Sequence, residues 1–171
     1  MRSAVAFISC AMVLALLNFS IVGKERQLES GKLVFLELTS VDPRSLMQGD
    51  YMALRFKIAN DARPAMDRSE SSAGRRFQGD LTTADGCIVA ALDPASVATY
   101  RRLDDGTPLA PNEVLLRYRV RGGQVKFATN AFFFQEGTAK RYEGARYGEF
   151  RVAPDGELLL TGLRGKELQP L

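Results

Sequence analysis

The stretch that decides the fold is VDPRSLMQGDYMALRFKI, residues Val41–Ile58. In its second half, apolar side chains recur at every second position, the pattern of a strand with one buried face. These side chains are Met52, Leu54, Phe56 and Ile58. The preceding Leu33–Val41 alternates in the same way, and the corner between the two runs is dense in Asp, Pro, Arg and Gly, which favour turns. The sequence therefore predicts two strands, Leu33–Val41 and Tyr51–Ala59, joined by a polar corner.

Five residues of this corner form a candidate binding site: Asp42, Arg44, Gly49, Asp50 and Tyr51. The Asp50 carboxylate has two interpretations. It can close a tight turn by accepting backbone N–H groups, or it can have a functional role in which it pairs with Arg44 or binds a ligand. Tyr51 is more typical of a half-buried strand aromatic than of a ligand contact. For Asp50 and Tyr51 the structural interpretation is favoured. The five residues remain the candidate binding site, and no catalytic role is predicted for them.

The N-terminal segment carries no charge from Ser3 to Gly23. As a helix, these residues would be roughly 30 Å long, the thickness of a hydrocarbon core. We therefore predict a transmembrane anchor over residues 1–23, a charged spacer over 24–32 and a β domain over 33–171. A cleaved signal peptide is the alternative, but Ser20 and Val22 make a poor cleavage site.

The orientation of this anchor is left open by the charges. Arg2 lies before the apolar run, and Lys24, Arg26 and Lys32 lie after it, a count that mildly favours a cytoplasmic C-terminal domain. A first helix with a short basic leader, in contrast, often exports the domain that follows it.

The rest of the chain is predicted to be mainly β. Residues 60–84 are rich in Arg, Ser, Asp and Gly without periodicity, and we expect a long mobile loop there. Gly122-Gly123 predicts a two-residue hairpin, and residues 138–144 predict a short helix or a loop. Further strands are predicted at 87–92, 97–103, 114–121, 125–129, 131–134, 146–152 and 157–163. In the strand at 114–121, arginines alternate with apolar residues, which predicts a basic outer face. Eight or nine short strands predict an antiparallel β-barrel or sandwich after the single N-terminal transmembrane helix.

Composition removes several classes of chemistry. The chain of 171 residues has no histidine and two cysteines, which excludes Ser-His-Asp and Cys-His catalysis and four-thiolate zinc sites. No metal and no cofactor are therefore expected. The net charge of +3 is spread along the chain, so a nucleic-acid partner is not expected. A hydrolase that uses carboxylates is an alternative; its candidate residues are Glu136, Glu143, Glu149 and Glu157.

The motif at the corner resembles a known family. Gly49–Phe56, GDYMALRF, is similar to the motif of the GDYXXLXY family of bacterial membrane-anchored proteins, with Phe56 in place of the last tyrosine. Val41–Gln48, Phe132–Gly137 and Ala145–Val152 agree with the same resemblance. The resemblance implies one N-terminal anchor, an exported and largely β domain, and a neighbouring polytopic membrane protein as a partner. It implies no established activity.

A second, fainter resemblance supplies the peptidase alternative. The segment from Leu46 to Asp50 is similar to the Leu-x-x-Gly-Asp segment of Ser/Lys signal peptidases, whose nucleophilic serine lies eight residues before the glycine. That position is Val41 here, and Ser40 and Ser45 are out of register. Peptidase activity is therefore disfavoured.

Together these observations predict a membrane-anchored, non-catalytic accessory or interaction protein of the bacterial envelope. We expect a single pass through the inner membrane with the C-terminal domain in the periplasm. The consecutive residues Phe132–Phe134 must point to both faces of a strand, so one of them could dock a partner or a membrane. A histidine-free hydrolase or peptidase, and a β domain that binds a small ligand near Asp42, Arg44 and Asp50, are the alternatives.

Overall fold

The computed structural model describes residues 2–39, 47–48, 51–72, 84–129 and 131–171. The elements in chain order are α1 (Arg2–Ser30), β1 (Lys32–Glu37), β2 (Met47–Gln48), β3 (Tyr51–Ala53), α2 (Lys57–Ser72), β4 (Ala84–Leu92), β5 (Ala98–Leu103), β6 (Glu113–Arg121), β7 (Gln124–Phe127), β8 (Ala131–Phe133), α3 (Ala139–Tyr142), β9 (Tyr147–Val152) and β10 (Leu158–Arg164). The described part of the chain is thus mainly β, as predicted.

These strands form three antiparallel sheets that together make a half-barrel. Sheet I has the order β1-β9-β10, sheet II the order β2-β3-β8, and sheet III the order β5-β4-β6-β7. Single bridges join the sheets: the Phe35 N–H donates to the Ser96 carbonyl at 2.9 Å, and the Arg117 N–H donates to the Gly156 carbonyl at 2.8 Å. The half-barrel therefore encloses one core.

The centre of this core is aromatic. Phe127 and Phe150 are fully buried and Phe56 is nearly so. Phe56 meets the other two rings edge-on, with centroids 6.5 Å and 5.5 Å away, the geometry that ring quadrupoles favour. Phe150 reaches the core because β9 alternates strictly between half-buried and buried positions, as a period-2 strand must.

The predicted hairpin at Gly122-Gly123 is confirmed. Arg121 pairs with Gln124 across it, and the two glycines have φ of 54° and 75°. Positive φ at both central residues defines the tight turn that matches the twist of the flanking strands.

The prediction for residues 57–72 is wrong, although Phe56 still forms an antiparallel bridge with Leu38. β3 ends at Ala53, and α2 covers Lys57–Ser72 where the end of a strand and a mobile loop were expected. The buried Ile58, Ala62 and Met66 are spaced by four residues, so they form one helical face against the core. The rest of the predicted loop, 73–83, lies outside the described residues.

The N-terminal helix is present, but a membrane span is not confirmed. α1 runs past the apolar stretch and through the charged residues from Lys24 to Ser30. In the part of the chain that the structure describes, no helix combines the length and the apolar character that crossing a membrane requires.

Candidate functional site

Most of the predicted corner cannot be placed. Asp42, Arg44, Gly49 and Asp50 lie outside the described residues. Tyr51 is half-buried on β3, opposite Phe133 of β8, with ring centroids 5.8 Å apart. Such cross-strand aromatic pairs stabilise sheets, so the contact of Tyr51 agrees with its structural interpretation.

The three consecutive phenylalanines divide between two faces, as expected. Phe132 and Phe134 are partly buried and contact the ring of Tyr142 at centroid distances of 5.0 Å and 5.3 Å. Phe133, between them, is 73% exposed. Phe133 is thus a large apolar side chain that sheet II presents to its surroundings.

Between Met12 and Val22, α1 exposes its apolar side chains. Met12, Val13, Leu14, Leu16, Leu17, Phe19, Ile21 and Val22 are between 41% and 82% exposed. Within this stretch the polar Asn18 side chain donates to the Leu14 carbonyl at 2.8 Å, so its amide is satisfied inside the helix.

The last turns of α1 dock on sheet I at what we call the helix–sheet joint, formed by Lys24, Gln27, Arg151 and Glu157. Gln27 is buried, and its Nε2 donates to the carbonyls of Arg151 at 3.1 Å and Glu157 at 2.8 Å. Lys24 Nζ lies 2.6 Å from the Glu157 carboxylate. A buried amide with two donors engaged fixes the helix by direction as well as by contact. The joint therefore orients α1 relative to the β domain.

A cleft of about 830 Å³ lies beside this joint. We call it the arginine cleft. It is lined by Asp85, Gly86, Cys87, Arg117, Arg119, Ala128, Thr129, Glu157 and Leu158–Leu160. Sequence reasoning found only one wall of it, the basic outer face of β6, because the other wall comes from β10, which is remote in sequence.

Pairing in sheet III explains which cleft groups are adjacent. β4 and β6 align Cys87 with Arg117 and Asp85 with Arg119. The residue between the two on β4 is Gly86, and a Cβ built there would lie 2.7 Å from the Tyr118 hydroxyl oxygen. Glycine is thus required for the close approach of the Tyr118 ring to β4.

Most charges of the cleft are already paired. Arg121 lies 3.1 Å from the Asp85 carboxylate, and Arg117 lies 3.4 Å from that of Asp155. Arg119 is exposed, and its side chain makes no ion pair or hydrogen bond with any described residue. Burial raises the pKa of the Cys87 thiol, and the nearby Arg117 guanidinium opposes that rise. Cys87 is consequently a neutral thiol near pH 7.

No candidate metal site appears among the described residues. They contain no group of three or more Cys, Asp or Glu side chains placed to hold a metal ion. Of the glutamates considered for hydrolysis, Glu149 pairs with Arg164 and accepts from the Thr161 hydroxyl at 3.0 Å. Glu157 pairs with Lys24, while Glu136 and Glu143 are exposed.

Comparison with known proteins places this geometry in a family. The GDYXXLXY protein family matches residues 13–163. The chain belongs to the GDYXXLXY family. The match starts within α1 and ends in β10, so the helix–sheet joint and the arginine cleft lie inside the part shared with GDYXXLXY proteins. No curated protein and no solved structure matches the chain.

Proposed function

We propose that this GDYXXLXY protein is a membrane-anchored, non-catalytic accessory protein of the bacterial envelope. α1 holds it in the inner membrane, and the β domain acts in the periplasm on a neighbouring polytopic membrane protein. The observation that carries the proposal is the exposure of the apolar half of α1, while its polar half is locked onto sheet I.

The energetics of α1 support a lipid environment. Removing one large apolar side chain from water is worth about 1.5–3 kcal/mol, and eight of them stand exposed between Met12 and Val22. A contiguous apolar surface of this kind is rare on monomeric soluble proteins and marks an interaction site. The stretch from Ser3 to Gly23 carries no charge that would oppose insertion into lipid.

The acidic residues support an accessory role over hydrolysis. An acid–base pair needs one carboxyl group kept neutral and one ionised. Glu149 and Glu157 are instead each held in an ion pair, with Arg164 and Lys24 respectively. The full sequence also lacks histidine, the commonest general base.

Anchoring is tested by charging the apolar half of α1. Leu16→Arg should weaken insertion by about 2.5–3.5 kcal/mol and release a large fraction of the chain from membranes during alkaline extraction. Leu109→Arg, at an exposed apolar residue of the β domain, is the matched control and should leave the chain in the membrane pellet. A wild-type chain that is extracted completely at alkaline pH contradicts the anchoring.

Orientation is tested with a reporter fused after Leu171. Alkaline phosphatase folds only where disulfides form, so an active phosphatase fusion is expected for a periplasmic domain. A fluorescent cytoplasmic reporter combined with an inactive phosphatase would reverse the assigned orientation.

The accessory role is tested by purification from a mild detergent. We expect a multi-span membrane protein, identified by mass spectrometry, to co-purify with the wild-type chain. Phe133→Ser should reduce its recovery because Phe133 is the exposed ring of sheet II, whereas Leu109→Ser should not. Recovery of a lone chain in every case contradicts the accessory role.

A further inference from the structure

The arginine cleft adjoins the end of the proposed anchor. Glu157 lines the cleft and its carboxylate binds Lys24 Nζ at 2.6 Å. Lys24 is the first charged residue after the apolar stretch. A helix that carries that stretch in lipid would hold Lys24, and with it the cleft, at the level of the lipid headgroups.

The two walls of the cleft differ in chemistry. β10 contributes three consecutive leucines, Leu158–Leu160, and β6 contributes Arg117 and Arg119. Small-molecule sites combine mostly apolar linings with a few polar groups that fix orientation. A ligand that fits both walls has an apolar portion and an anionic portion.

The charge balance leaves room for one anion. Asp85 and Glu157 are neutralised by Arg121 and Lys24. Arg119 has no anionic partner among the described residues, and its neighbour across β7 is Lys126, a second cation. Two adjacent unpaired cations repel each other and attract an anion. Guanidinium groups bind phosphate and carboxylate with particular strength because they donate two parallel hydrogen bonds.

We propose that the arginine cleft binds an anionic amphiphile, with its phosphate or carboxylate on Arg119 and Arg117 and its apolar chain along Leu159 and Leu160. The supply of this ligand from the membrane rests on the proposed function, whereas the binding chemistry does not. A volume of about 830 Å³ holds a lipid headgroup together with the first part of its chain, since drug-sized ligands occupy roughly 300–1,000 Å³.

The test uses the full chain in a non-ionic detergent with three probes. These are dihexanoyl phosphatidylglycerol, dihexanoyl phosphatidylcholine and inorganic phosphate, each titrated by calorimetry. The anionic lipid should bind about tenfold more tightly than the zwitterionic lipid and than phosphate. Equal affinity for both lipids overturns the proposal, because the charge of the headgroup then contributes nothing to binding. Phosphate that binds as tightly as the anionic lipid overturns it too, because the site is then a free-anion site.

Matched variants assign the binding to the cleft. Arg119→Gln should lower the affinity for the anionic lipid about tenfold. Arg101→Gln removes the same charge from an exposed position on β5 outside the cleft and should change nothing. Equal losses in the two variants overturn the proposal. Lipid that associates only with the surface of α1 would be unaffected by either change.

The apolar wall is tested separately. Leu159 lines the cleft without belonging to the core. The Leu159→Ser variant should therefore fold normally, and its affinity for the anionic lipid should be about fivefold lower. Alkylation of Cys87, in a Cys10→Ser chain, gives a second measurement, since bound lipid should protect the thiol. An unchanged lipid affinity with no protection overturns the proposal.

The same data separate this proposal from the anchoring. The dihexanoyl lipids reach the cleft from solution, so their binding does not require α1 to lie in a bilayer. A chain that is extracted from membranes and still binds the anionic lipid contradicts the anchoring alone. A chain that stays in membranes and fails to bind the lipid contradicts the cleft alone.

Discussion

The apolar half of α1 exposes large apolar side chains, whereas sheet I buries them. Phe19 of α1 is 82% exposed, while Phe150 of β9 is fully buried. Where the two elements meet, the buried side chain of the helix is the polar Gln27. Packing inside the protein therefore fixes the position of Phe150, whereas Phe19 is left open to its surroundings.

The contrast shows how an apolar helix can be attached without being absorbed into a core. The joint uses directed hydrogen bonds to the carbonyls of Arg151 and Glu157, which a purely apolar contact cannot supply. The apolar surface of α1 stays available, and its direction relative to the sheet stays fixed.

The largest expected effect separates the two phenylalanines directly. Phe150→Ala should lower the free energy of unfolding of the β domain by about 3–5 kcal/mol, because it leaves a cavity beside Phe56. Phe19→Ala should leave that free energy unchanged. Urea unfolding of the full chain in a non-ionic detergent, followed by tyrosine fluorescence, measures both. Similar losses in the two variants would show that α1 packs into the domain.

A smaller effect is expected from adding one methyl group to sheet I. A Cβ at Gly148 would lie 2.9 Å from the Phe150 ring and 3.0 Å from the Phe56 ring, so Gly148→Ala should destabilise the domain by about 1–3 kcal/mol. Gly162 of β10 has no atom within 4 Å of the equivalent position, and Gly162→Ala is the control. The same urea titration checks the pair, and equal stability of the two variants would mean that the aromatic core yields easily.

The joint itself is tested at Gln27. Gln27→Ala removes the two hydrogen bonds that its side chain donates, which should cost about 1–2 kcal/mol. The expected consequence is faster amide exchange in the last turns of α1, measured by mass spectrometry. Glu29→Ala, at an exposed position of the same turn, should not change exchange. If amide protection is unchanged in Gln27→Ala, the helix–sheet joint is not what orients α1.

The smallest effect is a pH dependence of the β domain. Burial raises the pKa of Cys87 above its ordinary 9.0 and that of Tyr100 above its ordinary 10.0. As the pH rises, the unfolded chain loses these protons before the folded chain does. The free energy of unfolding therefore keeps its full value below about pH 9 and decreases as the pH rises further. Cys87→Ser should flatten part of this decline, and Cys10→Ser should leave it unchanged. Urea titrations between pH 7 and 10.5 provide the test, and a flat wild-type profile contradicts it.

Local patterns predicted the sheets well and one helix badly. The hairpin at Gly122-Gly123 and the strand at 146–152 were predictable because turn chemistry and period-2 alternation act over a few residues. The alternation that starts at Met52 ends at Ile58, which lies in α2 and shares a helical face with Ala62 and Met66. Sequence could not choose between these periods, because the choice depends on which face meets the core.

The candidate site shows the same limit. The basic outer face of β6 was visible in the alternation of arginines with apolar residues, but the leucines opposite it were not. Leu158–Leu160 lie about forty residues away from Arg117 and Arg119 and reach them only through the fold. The described part of the predicted corner, Tyr51, belongs to an aromatic pair and not to this cleft.

The sequence by itself determined the apolar helix, the family, the mainly β character and the absence of histidine chemistry, because each follows from composition or from spacing along the chain. The tertiary structure alone decided that Gln27 docks on sheet I, that α2 is a helix, and that Arg119 shares a cleft with leucines of β10 and has no anionic partner among the described residues. Those features depend on contacts between residues far apart in the chain, and the free energy of such contacts exists only once the sheets have assembled.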